Sequence, residues 1–408
     1  MNRLATLVKH GCELAYSRAF RSAGAMPGHR AGRPRGLALR RWLAQTPGVS
    51  IPALRWLDPP SGPAIELLDQ TRLPATEATL TCRDVPALVD AIRRLVVRGA
   101  PLLGIAGAFG VALAVCRGED ARQAAAAIEQ ARPTAVNLGW GARQALAAYE
   151  RARQASGPDA KRDIGQAVLG AARAIEAQDA AASAAMAAHG LRLVPAGARI
   201  LTHCNTGSLV SGGEGTAFAV VLAAHRAGRL AQLWVGETRP LLQGARLTAY
   251  EAGRAGLPHA VLPDSAAASL MAAGQVDLIL TGADRIAADG SVANKVGTYG
   301  LAVLARRHDL PFVVVAPVST IDFCTPGGTA IQIEYRAESE VLGIGGQLIA
   351  PAGTGAYNPA FDVTPPELIT AIVTERGVIM PVTAGNLRGL GAEPASGAPP
   401  AGTEYVGR

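Results

Sequence analysis

The hydrophobic pattern of the chain changes character near residue 195. Upstream, apolar positions recur at helical spacing or fill long runs, predicting helices over 85–97, 100–116, 121–131, 135–155 and 160–188. Two short stretches before them, 54–56 and 65–68, read as strands. Downstream, apolar, β-branched runs of five to seven residues alternate with helical segments. ARILTHC (198–204) precedes a helix at 215–228, and LAQLWVGE (230–237) precedes one at 247–256. HAVLPD (259–264) precedes 266–274, VDLILTGAD (276–284) precedes 296–308, and PFVVVAPV (311–318) follows. Strands that are apolar on both faces belong to a parallel sheet covered on both sides. The fold class is therefore α/β: a helical N-terminal domain (51–194), then a doubly wound, Rossmann-like parallel-sheet domain (195–383). ELITAIVTERG (367–377) reads as a last helix capped by Gly377, and the Gly/Pro/Ala-rich stretch 384–408 as a flexible tail.

Charge adds one distinction. The net charge is +7, but residues 1–41 carry nine Lys or Arg against Glu13 alone, so the leader holds +8 and the remainder −1. A balanced body without a basic, aromatic-studded patch argues against a nucleic-acid partner. The leader (1–50) reads as a disordered extension, although its Arg-rich, acid-poor start also resembles a transit peptide. Five cysteines, an odd number with no CxxC, support neither a disulfide framework nor a zinc site. No metal is expected, and a reducing, cytoplasmic compartment fits best. The uncharged stretch 100–116 falls just short of a bilayer span and contains Pro101 and several glycines, so it reads as a buried helix and no membrane is expected.

In a doubly wound sheet, ligands bind beyond the carboxyl ends of the strands. The residues there are Cys204, Glu237, Asp264, Asp284 and Ser319. Polar residues are ordinary at strand ends, but a thiol facing a carboxylate is informative. Around Cys204, THCNTGSLVSGGEGT runs from a strand through a Gly/Ser loop into a helix, an arrangement that offers backbone N–H groups to a phosphate. The alternative is a small buried residue ending a strand. Asp284, beside Gly282, is either a turn-forming residue or an acid whose pKa is raised by the apolar strand before it. Asn294 and Lys295 follow it, and Lys295 is one of only three lysines, so its place beside the candidate acid is suggestive. Arg98-Gly99-Ala100 opens the long apolar helix, and Arg132 precedes Pro133 and Thr134; each arginine is an anion ligand or a solvated helix-flanking charge. GxGxxG after a strand, GxxxxGK[ST], HExxH and GxSxG are all missing, so nicotinamide, ATP, metalloprotease and hydrolase readings have no motif.

Longer strings carry a resemblance. RGAP (98–101), RPTAVNL (132–138), HCNTG (203–207), ETRPLLQGARLTA (237–249), TGADRIAADGSVANKVGTY (281–299), APVST (316–320) and YNPAFDVTP (357–365) look like the methylthioribose-1-phosphate isomerases. That family lies in the superfamily of the initiation factor 2B regulatory subunits. The resemblance runs in order from about Ile51 to Pro381. It implies an aldose–ketose isomerase of a small phosphorylated sugar, with no cofactor, working as a homodimer in methionine salvage. By position it implies Cys204 and Asp284 as catalytic residues, with Arg98, Gly99, Ala100, Arg132, Gln243, Asn294 and Lys295 binding substrate. Two neighbouring readings are isomerisation of 5-deoxyribose 1-phosphate or ribose 1,5-bisphosphate, and a non-catalytic regulatory subunit. The chain departs from the family at Glu214, at Asp264-Ser265-Ala266, at NLGWG (137–141) and at IQIEYR (331–336). A carboxylate at 214 is expected to repel an anion held by the Cys204 loop.

Overall fold

The computed structural model describes residues 52–155 and 161–389. The leader and the rest of the tail lie outside the described residues. β1 (Leu54–Leu57), β2 (Ala64–Leu68) and β3 (Thr79–Cys82) form a small antiparallel sheet. Then come α1 (Val85–Arg93), α2 (Ala100–Arg117), α3 (Ala121–Glu129), α4 (Val136–Ala155) and α5 (Lys161–Leu191). These lie close to their expected spans because the signals are local: Asp84 and Asp120 cap α1 and α3 by accepting the Ala87 and Gln123 N–H groups. α2 is buried from Ala100 through Ala114 and forms the centre of the helical layer. It is the one described helix long and apolar enough to cross a bilayer, and neighbouring helices cover it instead.

The second half builds β4 (Ala198–Thr202), α6 (Ala217–Arg226), β5 (Leu230–Gly236), α7 (Ala249–Arg254), β6 (His259–Leu262), α8 (Ala267–Ala272) and β7 (Leu278–Thr281). There follow β8 (Arg285–Ala287), β9 (Val292–Lys295), α9 (Thr298–Arg307), β10 (Phe312–Val315) and β11 (Ile321–Asp322). The described chain closes with α10 (Ser339–Leu342), the hairpin β12 (Gly343–Ile344) and β13 (Gln347–Leu348), β14 (Phe361–Thr364), β15 (Ala371–Thr374), β16 (Gly377–Ile379) and α11 (Ala384–Gly389). A seven-stranded sheet runs β16-β15-β10-β7-β4-β5-β6, parallel except for β16. Numbered from β4, its parallel part has the order 3-2-1-4-5-6, the doubly wound arrangement whose direction of winding reverses between β4 and β7.

Alternate residues explain why the strands read as unbroken apolar runs. Ile200, Leu233, Leu280 and Val313 pack with Met186 and Phe218 on one face. Leu201, Ile279 and Val314 pack with Met271, Leu301 and Leu387 on the other. Both faces are core.

Two expectations need correcting, and one segment holds structure the pattern did not announce. Residues 367–377 form no α-helix: β15 lies parallel to β10, and Gly377, at φ 139, opens the antiparallel β16. Ala371–Thr374 is wholly buried, so apolar content gave no period to separate a strand from a buried helix. The tail does not begin at residue 384, because α11 occupies 384–389 and buries Leu387 completely. The segment after Asp284, to which the sequence pattern assigned no element, is regular structure. It builds a second sheet, β11-β8-β9-β14, with β8 and β9 paired antiparallel around Asp289-Gly290. That hairpin carries Lys295 back to the end of β7.

Candidate active site

β4 and β7 are neighbours, with Thr202 opposite Leu280. Their chains continue to Cys204 and Asp284, which line the same cleft beyond the sheet's carboxyl edge. This is the switch point, where two crossovers leave in opposite directions and open a crevice. Arg98, Gly99, Arg132, Gln243 and Lys295 line the cleft as well, so seven of the nine sequence-nominated residues meet there. Ala100 and Asn294 stand behind the wall. Ala100 is the buried first residue of α2, and Asn294 donates its amide to Thr298 Oγ1 at 3.0 Å.

The other strand ends have different duties. Asp264 accepts the Thr238 and Arg239 N–H groups at 2.8 and 2.7 Å and so shapes the loop that carries Gln243. Ser319 accepts from Asn137 at 3.3 Å, lines a separate cavity and ties α4 to the sheet edge. Glu237 does not line the cleft.

Cys204 is held in a conformation that side chains disfavour, at φ 61. Its N–H donates to Thr238 Oγ1 at 2.9 Å, and its carbonyl accepts from Thr248 Oγ1 at 2.6 Å. Leu95, Thr238 and Leu242 also lie in the left-handed region, at φ 63, 66 and 57. Four of the five such non-glycine residues among the described ones therefore surround or brace this cleft. Such strain, about 1–3 kcal/mol each, persists where surrounding structure enforces it and gathers at functional sites. Thr248 ends a π-helical turn, Gly244–Thr248, another feature frequent at such sites.

Gly99 is required for a similar reason. It sits at φ 90, and a Cβ there would fall 2.2 Å from Val210 Cβ. Gly99→Ala is expected to cost about 2–3 kcal/mol. A lowered urea midpoint would register the loss, and an unchanged midpoint would contradict this packing.

The electrostatics are those of an anion site with an acid in its wall. An Arg98 amino group lies 3.4 Å from Cys204 Sγ. Lys295, only 7% exposed, holds its Nζ 5.4 Å from the centre of the Phe361 ring. Burial lowers the Lys295 ammonium, while Cys204 and Asp284 oppose the shift. Burial raises the Asp284 carboxyl above its ordinary value, against the pull of Lys295, Arg132 and Arg98. The Asp284 side chain makes no hydrogen bond to the described residues and keeps an accessible edge on the cleft. Gln243 Oε1 and Arg132 Nε are buried without partners among the described residues. An orphan of that kind costs about 1–3 kcal/mol, which a polar ligand in the cleft would recover.

Sequence reading missed several participants. Arg336, Leu95, Leu241, Ala360 and Phe361 complete the cleft. Glu334 accepts from Arg132 at 2.9 Å and from Arg336 at 3.1 Å. Burial works to raise Glu334, but Arg132 prevails and holds it below its ordinary value. The available signal was IQIEYR, whose acid and base sit two residues apart in a stretch without periodicity.

Two expectations about the Cys204 loop also fail. The Gly212 N–H donates to Asp179, that of Gly213 to Ser211, that of Glu214 to Ser183 and that of Thr216 to the Thr206 carbonyl. Four of the N–H groups leading into α6 are therefore already spent, and the cations line the cleft instead. Glu214 points away and pairs with Arg226, which removes the repulsion expected of it.

Fold and site together define a class: a doubly wound α/β protein with a cationic, acid-bearing cleft at its switch point. The comparisons narrow it. The model of the Initiation factor 2 subunit family matches residues 96–381. A methylthioribose-1-phosphate isomerase of Pelotomaculum thermopropionicum is 48% identical over 333 residues, covering 79% of this chain and 90% of that protein. The crystal structure of 5-methylthioribose 1-phosphate isomerase from Pyrococcus horikoshii OT3 superposes with a TM-score of 0.76 at 39% identity, covering 85% of this chain and 98% of that one. A structure titled translation initiation factor eIF-2B, subunit delta, from A. fulgidus has a TM-score of 0.70 at 37% identity, covering 83% and 100%. The chain belongs to the initiation factor 2 subunit family, among its methylthioribose-1-phosphate isomerases.

Proposed function

We propose that this chain converts S-methyl-5-thioribose 1-phosphate into S-methyl-5-thioribulose 1-phosphate, an aldose–ketose isomerisation in methionine salvage. The observation that carries the reading is the meeting of Cys204, Asp284 and a set of cations in one cleft at the switch point. Its relatives bear the name of that activity.

The chemistry explains the residue types. A phosphate on O1 prevents the sugar from opening to a free aldehyde. Asp284, whose pKa burial raises, would donate to the ring oxygen as the bond from that oxygen to C1 breaks. Hydrogen then moves from C2 to C1 and a carbonyl forms at C2, so no external oxidant or reductant is needed. Cys204, beside the Arg98 guanidinium, is placed to take or relay the proton at C2. Arg98, Arg132 and Lys295 would grip the phosphate and resist its loss, while Gln243 Oε1 would accept from a sugar hydroxyl. Gly99 and Ala100 would offer backbone N–H groups at the start of α2, which no side chain caps. Asn294 would act from behind Lys295.

Charge balance favours one phosphate over two. Arg98, Arg132, Lys295 and Arg336 face Glu334, which pairs with Arg132, and Glu340, which pairs with Arg336 at 2.5 Å. With Asp284 carrying the proton its donor role requires and Lys295 charged, two positive charges remain, a match for one phosphate monoester of about −2. Leu95, Leu241 and Phe361 leave apolar wall for a 5-substituent such as methylthio. The resemblance further leads us to propose a cytoplasmic homodimer, for which light scattering should return twice the chain mass.

The test is to follow ketose formation from methylthioribose 1-phosphate, 5-deoxyribose 1-phosphate and ribose 1,5-bisphosphate. The first should be turned over with the highest kcat/KM. No turnover of any, with the protein in a stable hetero-oligomer, would favour the regulatory-subunit reading. The raised Asp284 also fixes a sign. Since the acid must hold its proton, kcat should persist above the ordinary carboxylate range and fall as pH rises through the Asp284 pKa. A pH profile without that descending limb would count against Asp284 as the donor.

A further inference from the structure

A second carboxylate lies behind the cleft, out of a ligand's reach. Glu251, on α7, is 7% exposed and lines no part of the cleft. Its Oε2 accepts from Asn205 Nδ2 at 2.5 Å, and its Oε1 accepts from Ser208 Oγ at 2.7 Å and the Leu209 N–H at 3.2 Å. Space for it is reserved by Gly207, where a Cβ would fall 2.4 Å from Glu251 Oε2. On its far side, Asn205 Oδ1 accepts from an Arg98 amino group at 2.9 Å. The other Arg98 amino group lies 3.4 Å from Cys204 Sγ.

The donor and acceptor inventory makes this chain directional. Burial raises the Glu251 carboxyl, and its hydrogen bonds from Ser208, Asn205 and Leu209 oppose the shift. In its ionised form it only accepts and a guanidinium only donates, so an amide between them has one satisfactory orientation. Its NH2 must face Glu251 and its oxygen must face Arg98. We infer that Glu251 is a positioning residue: by fixing the orientation of the Asn205 amide, it locks Arg98 against the Cys204 sulfur. The inference rests on the proposed roles of Arg98 and Cys204. The competing account is local, with Glu251 serving only to close the Ser208–Leu209 turn, and the two accounts predict different couplings.

The test reads the thiol directly and needs no turnover. Iodoacetamide labelling of Cys204 at neutral pH is followed by peptide mass spectrometry in wild type, Glu251→Gln, Arg98→Met and the double variant. Glutamine keeps only one acceptor oxygen and no charge, so the hold on the Asn205 amide weakens to the Thr248 Oγ1 contact at 3.3 Å and Arg98 loses a fixed acceptor. Glu251→Gln should slow labelling about tenfold and lower kcat/KM by a similar factor, the scale of one charge-assisted hydrogen bond. In the Arg98→Met background the same change should alter labelling less than twofold. A tenfold effect that persists without Arg98, or no effect in its presence, would overturn the inference. If Glu251→Gln fails to fold by circular dichroism, Asn205→Leu cuts the same link and should give the same coupling. A wild type that isomerises no sugar phosphate but keeps this coupling would sink the proposed function and leave the positioning role standing.

Discussion

Asp284→Asn is expected to lower kcat by about a thousandfold while leaving KM within about threefold, because a positioned general acid contributes roughly a hundred- to ten-thousandfold. The split follows from protonation. Burial keeps the Asp284 carboxyl neutral beyond its ordinary range, and asparagine is its neutral isostere. The charge seen by the phosphate therefore barely changes, whereas the transferable proton disappears. If Asp284 worked as an ionised base, asparagine would remove a negative charge from among Lys295, Arg132 and Arg98, and phosphate binding would tighten visibly. A KM that falls tenfold would expose that error.

Cys204→Ser should be nearly as damaging, with kcat down about a thousandfold. A hydroxyl is a far weaker acid than a thiol, so it cannot share a proton with C2 under the same conditions. The structural cost should be small. The residue 204 N–H donating to Thr238 Oγ1 and its carbonyl accepting from Thr248 Oγ1 hold it at φ 61, and serine leaves both bonds intact. The unfolding midpoint should stay within about 1 kcal/mol of wild type. Wild-type kcat in this variant would remove the thiol from the mechanism.

The parts of this site that were readable from sequence share a physical basis. β4 and β7 are buried on both faces, so their apolar runs announced a parallel sheet, and the sheet's winding then placed Cys204 and Asp284 at one rim. RGAP and ANK supplied cations at element ends, where side chains are free to reach a ligand. What stayed hidden was decided by partners distant in sequence. The Gly212 and Glu214 N–H groups look available in the string SGGEG, yet Asp179 and Ser183 of α5 consume them. The acid and base of IQIEYR give Arg336 a weak local signal, but its place in the cleft comes from Arg132 sharing Glu334, 202 residues from Arg132. Ala371–Thr374 reads equally well as a buried helix or strand until β10 lies beside it. The strands of the second sheet are two to four residues long, too short to show alternation. Glu251, on a six-residue helix, reads as a surface charge until Gly207 and Asn205 close over it.

The proposed mechanism requires two reactive groups to address one sugar. A crystal structure of Asp284→Asn soaked with methylthioribose 1-phosphate tests this most directly. The phosphate should lie among Arg98, Arg132 and Lys295, with the ring oxygen toward residue 284 and C2 toward the Cys204 sulfur. A sugar seated in the Asn137–Ser319 cavity instead, or one lying in the cleft with C2 turned away from the thiol, would contradict it.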